Sequence, residues 1–88
     1  MNDEKITVVA TKITQTSEDS DQHIGYWVKG VLAKLIKEGE SLVIWRDERN
    51  GVNVPGIFRT SPVEKIIFLD PWRLVIRTKN STWLVEDC

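Results

Sequence analysis

From Ser41 to Cys88 the chain is cut into short apolar stretches by turn-forming pairs, which leaves room for a run of short antiparallel strands. The breaks are Asn50-Gly51, Ser61-Pro62, Asp70-Pro71 and Asn80-Ser81. Asn-Gly is a strong hairpin signal, because both residues tolerate the positive φ of a tight turn. Ser61 precedes a proline and is pushed to extended geometry, so the chain bends or breaks there. The expected strands are Ser41–Arg46, Val52–Thr60, Glu64–Leu69, Arg73–Lys79 and Thr82–Glu86, with Asp47–Gly51 as the first turn. Pro55-Gly56 interrupts the second strand and predicts an edge position or a bulge there.

The first half reads differently. Residues 5–14 are dense in β-branched side chains, and Ile6, Val8 and Ala10 alternate onto one face, which predicts a strand. Residues 15–21 form a polar, acidic loop in which Ser20 or Asp21 suits a helix N-cap. Beyond it, Ile24, Trp27, Val28, Val31, Leu32, Leu35 and Ile36 recur at helical spacing. That stripe predicts an amphipathic helix over 21–38, closed by Gly39 at the C′ position. Gly30 weakens such a helix, or marks a close approach to a sheet. The alternative reading makes Tyr26–Leu32 a strand.

The expected architecture is therefore α+β in one domain, residues 1–88. One amphipathic helix packs on a five- to six-stranded antiparallel sheet built from 5–14 and 41–87. The short strands and tight turns also fit closure into a small SH3-like barrel.

Composition narrows the function classes. Twelve basic and thirteen acidic residues give a net charge of −1, which argues against nucleic-acid binding driven by bulk charge and equally against an acidic nucleic-acid mimic. The arginines, however, all lie beyond residue 44, and Arg forms forked hydrogen bonds and stacks on rings where Lys does not. No apolar run is long enough for a membrane span, and no apolar segment follows the charged Met1–Lys5 as a signal peptide would require. The only cysteine, Cys88, forms no internal disulfide and fits a reducing, cytoplasmic setting. A core drawn from so few residues is small, and homo-oligomerisation would extend its burial.

The chain offers no catalytic constellation. His23 is the only histidine, and no cysteine or second histidine accompanies it as a metal ligand. Glu18-Asp19-Ser20-Asp21 lacks the spacing of a calcium loop. No glycine-rich phosphate loop precedes a helix. No cofactor, metal site or catalytic residue is expected.

The residues with binding chemistry are Trp72, Arg73, Arg77, Lys79 and Arg59. In Arg73–Lys79, Leu74, Ile76 and Thr78 alternate inward and Arg77 and Lys79 outward. Trp72 sits in the turn Asp70-Pro71-Trp72-Arg73, and a turn-borne Trp-Arg pair has the composition of an interface hot spot. Trp83 and Trp27 are expected in the core, and Trp45 on either face of its strand.

Gly56–Ile66 followed by Val75–Trp83 resembles a pattern in short uncharacterised proteins of bacteria and their phages, across the last third of the chain. There a Thr-Ser-Pro-Val strand start, here Thr60–Val63, precedes a Thr-x-Asn-Ser-x-aromatic hairpin, here Thr78–Trp83. The resemblance implies a scaffold signature and a bacterial or phage cytoplasm. It attaches no activity.

These features together predict a small non-enzymatic module that binds a protein partner, as a phage-type inhibitor or regulator of host machinery would. The alternative is a nucleic-acid- or nucleotide-binding small β-barrel that uses the same Arg/Trp face.

Overall fold

The computed structural model describes residues 6–15, 24–79 and 81–87. These form β1 (Thr7–Gln15), β2 (Trp27–Leu32), β3 (Ser41–Arg49), β4 (Val52–Asp70), β5 (Arg73–Thr78) and β6 (Ser81–Asp87). Each strand pairs antiparallel with the next, and β6 returns to pair with β1, so the sheet closes into a small barrel.

The expected α+β fold, with a helix over 21–38, does not form. The described residues contain no helix: 24–38 supply a turn, strand β2 and an irregular loop. The reason lies in which side chains find burial. Tyr26, Val28 and Gly30 are buried in alternation, while Trp27, Lys29 and Val31 face outward and are half-covered. Two members of the helical stripe, Ile24 and Leu35, are left on the surface. Val28 and Val31 are β-branched and their neighbours Tyr26 and Trp27 aromatic, all residue types that suit a pleated, half-buried surface. Both glycines also fit a strand reading. Gly30 sits where β2 and β3 shift register, and a Cβ there would overlap the Trp45 carbonyl oxygen and lie 2.8 Å from its carbon. Gly39 has a φ of 92°, but it serves a loop turn, where its N–H donates to the Val63 carbonyl. Of the expected acidic loop over 15–21, Gln15 ends β1, while the rest of it, with the Ser20 or Asp21 cap and His23, lies outside the described residues, as does Cys88.

The turn chemistry of the second half is expressed directly. Asn50 and Gly51, at φ 50° and 84°, make the two-residue hairpin between β3 and β4. The mirror-image turn they form matches the right-handed twist of the flanking strands. β3 runs closer to that turn than expected, to Arg49 rather than Arg46, while β4 starts at Val52 as expected.

β4 is the unusual element. Ser61-Pro62 does not end it. The chain stays extended and changes partners: Val52 to Pro62 pair with β3, and Val63 to Asp70 pair with β5. Pro62 has no N–H to give to a ladder, so it suits the crossover point. Thr60 stabilises the departure from β3, since its hydroxyl accepts the Leu42 N–H at 3.0 Å and donates to the Ser61 carbonyl at 2.7 Å. Each half of β4 consequently has a strand neighbour on one side only.

The core is a single cluster of Val8, Ala10, Tyr26, Val28, Leu42, Ile44, Phe58, Val63, Ile76, Trp83 and Val85. Trp83 is its largest member. Phe58 and Tyr26 meet the indole edge-on, at centroid distances of 5.1 and 6.3 Å. This geometry places the positive edge of one ring near the negative face of another. The indole N–H donates to the Ser81 hydroxyl at 3.0 Å, and the Thr78 hydroxyl donates to the Ser81 carbonyl at 3.1 Å, so the buried polar atoms here are satisfied. The Lys12 ammonium lies 5.6 Å from the Trp83 ring centroid, and burial lowers its pKa.

Candidate functional site

At the opposite end of the barrel the packing opens into a cleft of about 470 Å³. It is lined by Ile6, just before β1, Val8 of β1, Leu32 of β2 and Leu35 and Ile36 of the following loop. Ile66, Phe68 and Asp70 of β4 line it too, with Trp72 of the β4–β5 turn. Leu74 of β5 and Val85 of β6 form part of the lining.

The cleft is a candidate site because much of its apolar lining is not covered. Leu35, Phe68 and Trp72 are 77%, 74% and 66% exposed. In a chain this short, that is a concentration of wet hydrophobic surface on one concave feature. Scattered exposed apolar side chains need no explanation, but a contiguous set around a groove marks an interaction surface.

The turn at its rim is built with care. The Asp70 carboxylate accepts the Trp72 N–H at 2.8 Å through one oxygen and the Arg73 Nε–H at 2.9 Å through the other. The Trp72 carbonyl in turn accepts the Asp87 N–H at 2.9 Å and ties the turn to β6. The backbone hydrogen bond from Trp72 holds the Asp70 pKa below the ordinary carboxylate range, and Arg73 adds to the effect. Asp70 thus fixes both residues that follow Pro71 on the rim of the cleft. Of the charged groups lining the cleft, two are carboxylates, Asp70 and Asp87, and one is the Arg73 guanidinium.

Trp72 and Arg73, both expected to bind, are gathered here. The other expected residues are not. Arg77 is exposed on the barrel exterior, opposite Lys65 of β4, and lies four residues along β5 from Arg73, roughly 13 Å at strand rise. Lys79 follows β5, and Arg59 stands across from Val43 on β3, each exposed and neither lining the cleft. Trp83 is buried, and Trp45 faces outward between Val31 and Ile57. Trp27, expected in the core, is half-covered on the exterior.

Phe68, Leu35, Ile36 and Ile6 belong to the site but not to the expected set. Leu35 and Ile36 were legible as apolar residues out of register with a strand, yet the helical pattern absorbed them. Phe68 carried one signal, as a bulky apolar residue just before the turn that bears Trp72.

No helix among the described residues is long and apolar enough to cross a membrane. No protein-family model, curated protein or solved structure matches the chain.

Proposed function

We propose that this chain is a small non-enzymatic binding module that holds a protein partner through the Trp72 cleft. The observation that carries this reading is the open apolar cleft walled by Phe68, Trp72 and Leu35, with Asp70 pinning the turn at its rim. Interfaces concentrate their energy in a few buried anchors, among which aromatic residues are enriched, and a wet Trp beside a concave apolar surface is suited to that role. Pre-ordering matters as well. The turn is held by three hydrogen bonds before any partner arrives, so less conformational entropy is lost on binding.

Protein is favoured over nucleic acid by the charges of the cleft, whose carboxylates outnumber its cation. A nucleic-acid groove tracks phosphates with cations and stacks bases on adjacent rings. Here Arg59, Arg77 and Lys79 stand away from Trp72. An inhibitor or regulator of host machinery is the biological role that such a module would fill.

The test compares three tagged proteins: wild type, Phe68→Ser and Arg77→Glu. Each is used for capture from bacterial lysate with and without nuclease, and any captured protein is then purified and titrated directly. The expected result is a partner bound by wild type and Arg77→Glu and lost by Phe68→Ser. Equal binding by Phe68→Ser, or loss of every partner on nuclease treatment, would reject the cleft as a protein-docking site.

A further inference from the structure

The cleft has a second property, which resides in the backbone. Barrel closure normally removes free strand edges, but β4 escapes this by changing partners. From Val63 to Asp70 it pairs with β5 alone, and its other edge faces away from β5. How far that edge is covered can be followed residue by residue. At Val63 a loop backbone occupies it: the Val63 N–H donates to the Glu40 carbonyl, and the Val63 carbonyl accepts the Gly39 N–H. At Ile66 a side chain stands in for a strand, with Glu38 Oε2 accepting the Ile66 N–H at 3.1 Å. At Phe68 no strand or loop backbone among the described residues takes that edge.

The direction of the Phe68 groups follows from the ladder. Lys65 to Phe68 pair in continuous register with Arg77 to Leu74. In an antiparallel ladder, successive residues turn their N–H and C=O to opposite edges. Since the Ile66 N–H points away from β5 to reach Glu38, the Phe68 N–H and C=O point the same way. That edge borders the cleft, whose lining includes Ile66, Phe68 and Asp70.

The other half of β4 also has one free edge, over Val52–Arg59, but Pro55 and Gly56 interrupt it. Proline on an edge blocks added strands. No proline follows Pro62 until Pro71, so the Val63–Asp70 edge has no such block.

We infer that the partner of this cleft is an extended peptide segment that adds as a strand to the β4 edge at Phe68, with alternate apolar side chains in the cleft and a basic residue beside Asp87. This rests on the cleft reading and deepens it. Main-chain hydrogen bonds to the Phe68 N–H and C=O would supply affinity, and the alternation of side chains would supply specificity. The basic residue follows from charge complementarity with a cleft whose lining carries one carboxylate, Asp87, beyond the Asp70–Arg73 pair.

The experiment selects binders to the full chain from a random displayed peptide library about one strand in length. The best peptide is resynthesised with a single N-methyl group at each position in turn. Affinity is measured for each version, alongside hydrogen exchange at the Phe68 amide. Strand addition predicts that methylation of alternate amides weakens binding by roughly tenfold, that the intervening positions tolerate it, and that the Phe68 amide gains protection. Binding that is lost in Phe68→Ser but indifferent to every N-methyl group would overturn strand addition and leave the cleft as a side-chain site. Binders with apolar anchors at helical spacing would overturn it in the same way. A free chain that dimerises with its Phe68 amide already protected would assign the edge to a second copy. Failure to select any peptide that depends on Trp72 or Phe68 would reject the cleft reading itself.

Discussion

The two ends of the barrel use aromatic side chains for opposite purposes. Around Trp83, two rings, a lysine, a serine and a threonine close over one another, and the indole is 2% exposed with its N–H satisfied. Around Trp72, comparable apolar surface is held open by a hydrogen-bonded turn. Burying an aromatic ring stabilises a small fold by a sizeable fraction of its margin, so leaving Trp72, Phe68 and Leu35 wet forgoes stability that packing would supply. One end holds the molecule together, and the other is free to be functional.

The contrast is broken most severely at the closed end. Trp83→Ala removes the largest core side chain and leaves a cavity that neighbouring side chains fill only in part. A loss of about 3–5 kcal/mol is expected, measured by chemical denaturation. A loss under about 1 kcal/mol would mean that Trp83 is not central to the core.

Gly30→Ala tests the β2–β3 approach. The added Cβ meets the Trp45 carbonyl, which is backbone and cannot swing aside. An effect of about 1–3 kcal/mol is expected on the same measurement. Wild-type stability would show that β2 can shift against β3 at little cost.

At the open end, Trp72→Ala should change stability by no more than about 0.5 kcal/mol, because the indole is exposed. It should nevertheless lower partner affinity by about tenfold or more, whereas Arg77→Glu on the exterior leaves affinity within about twofold. Equal effects of the two variants on binding would erase the distinction between cleft and outer face.

The smallest effect concerns pH. Asp70 is held below its ordinary pKa in the folded state, so its contribution is present above the unfolded value of about 3.9 and is lost as pH falls through the folded value. Wild type should therefore lose more stability than Asp70→Asn on acidification below about pH 4. Parallel acid profiles would show that the turn does not depend on the carboxylate charge.

Much of this was legible along the chain. Asn50-Gly51 makes its hairpin because both residues accept positive φ, a local property. The alternation in β5, with Ile76 and Thr78 inward and Arg77 outward, follows from the two-residue period of a strand. Trp72 was legible as exposed because a turn projects its side chains. The site as a whole was not, since its walls come from Ile6, Leu35, Phe68 and Val85, and no sequence spacing relates them.

By itself the sequence determined the turns, the strand periodicity after Ser41 and the residue types available for binding, because these depend on each residue's own φ, ψ and neighbours. Tertiary structure decided what local chemistry leaves open. Residues 26–32 carry an apolar pattern that satisfies a helix and a strand alike, and the choice fell to the strand because β1 and β3 offer backbone partners on both sides. Only the closed sheet could make β4 leave β3 for β5 at Pro62, since that exchange depends on where two other strands lie. The cleft and the free edge beside it are consequences of that exchange.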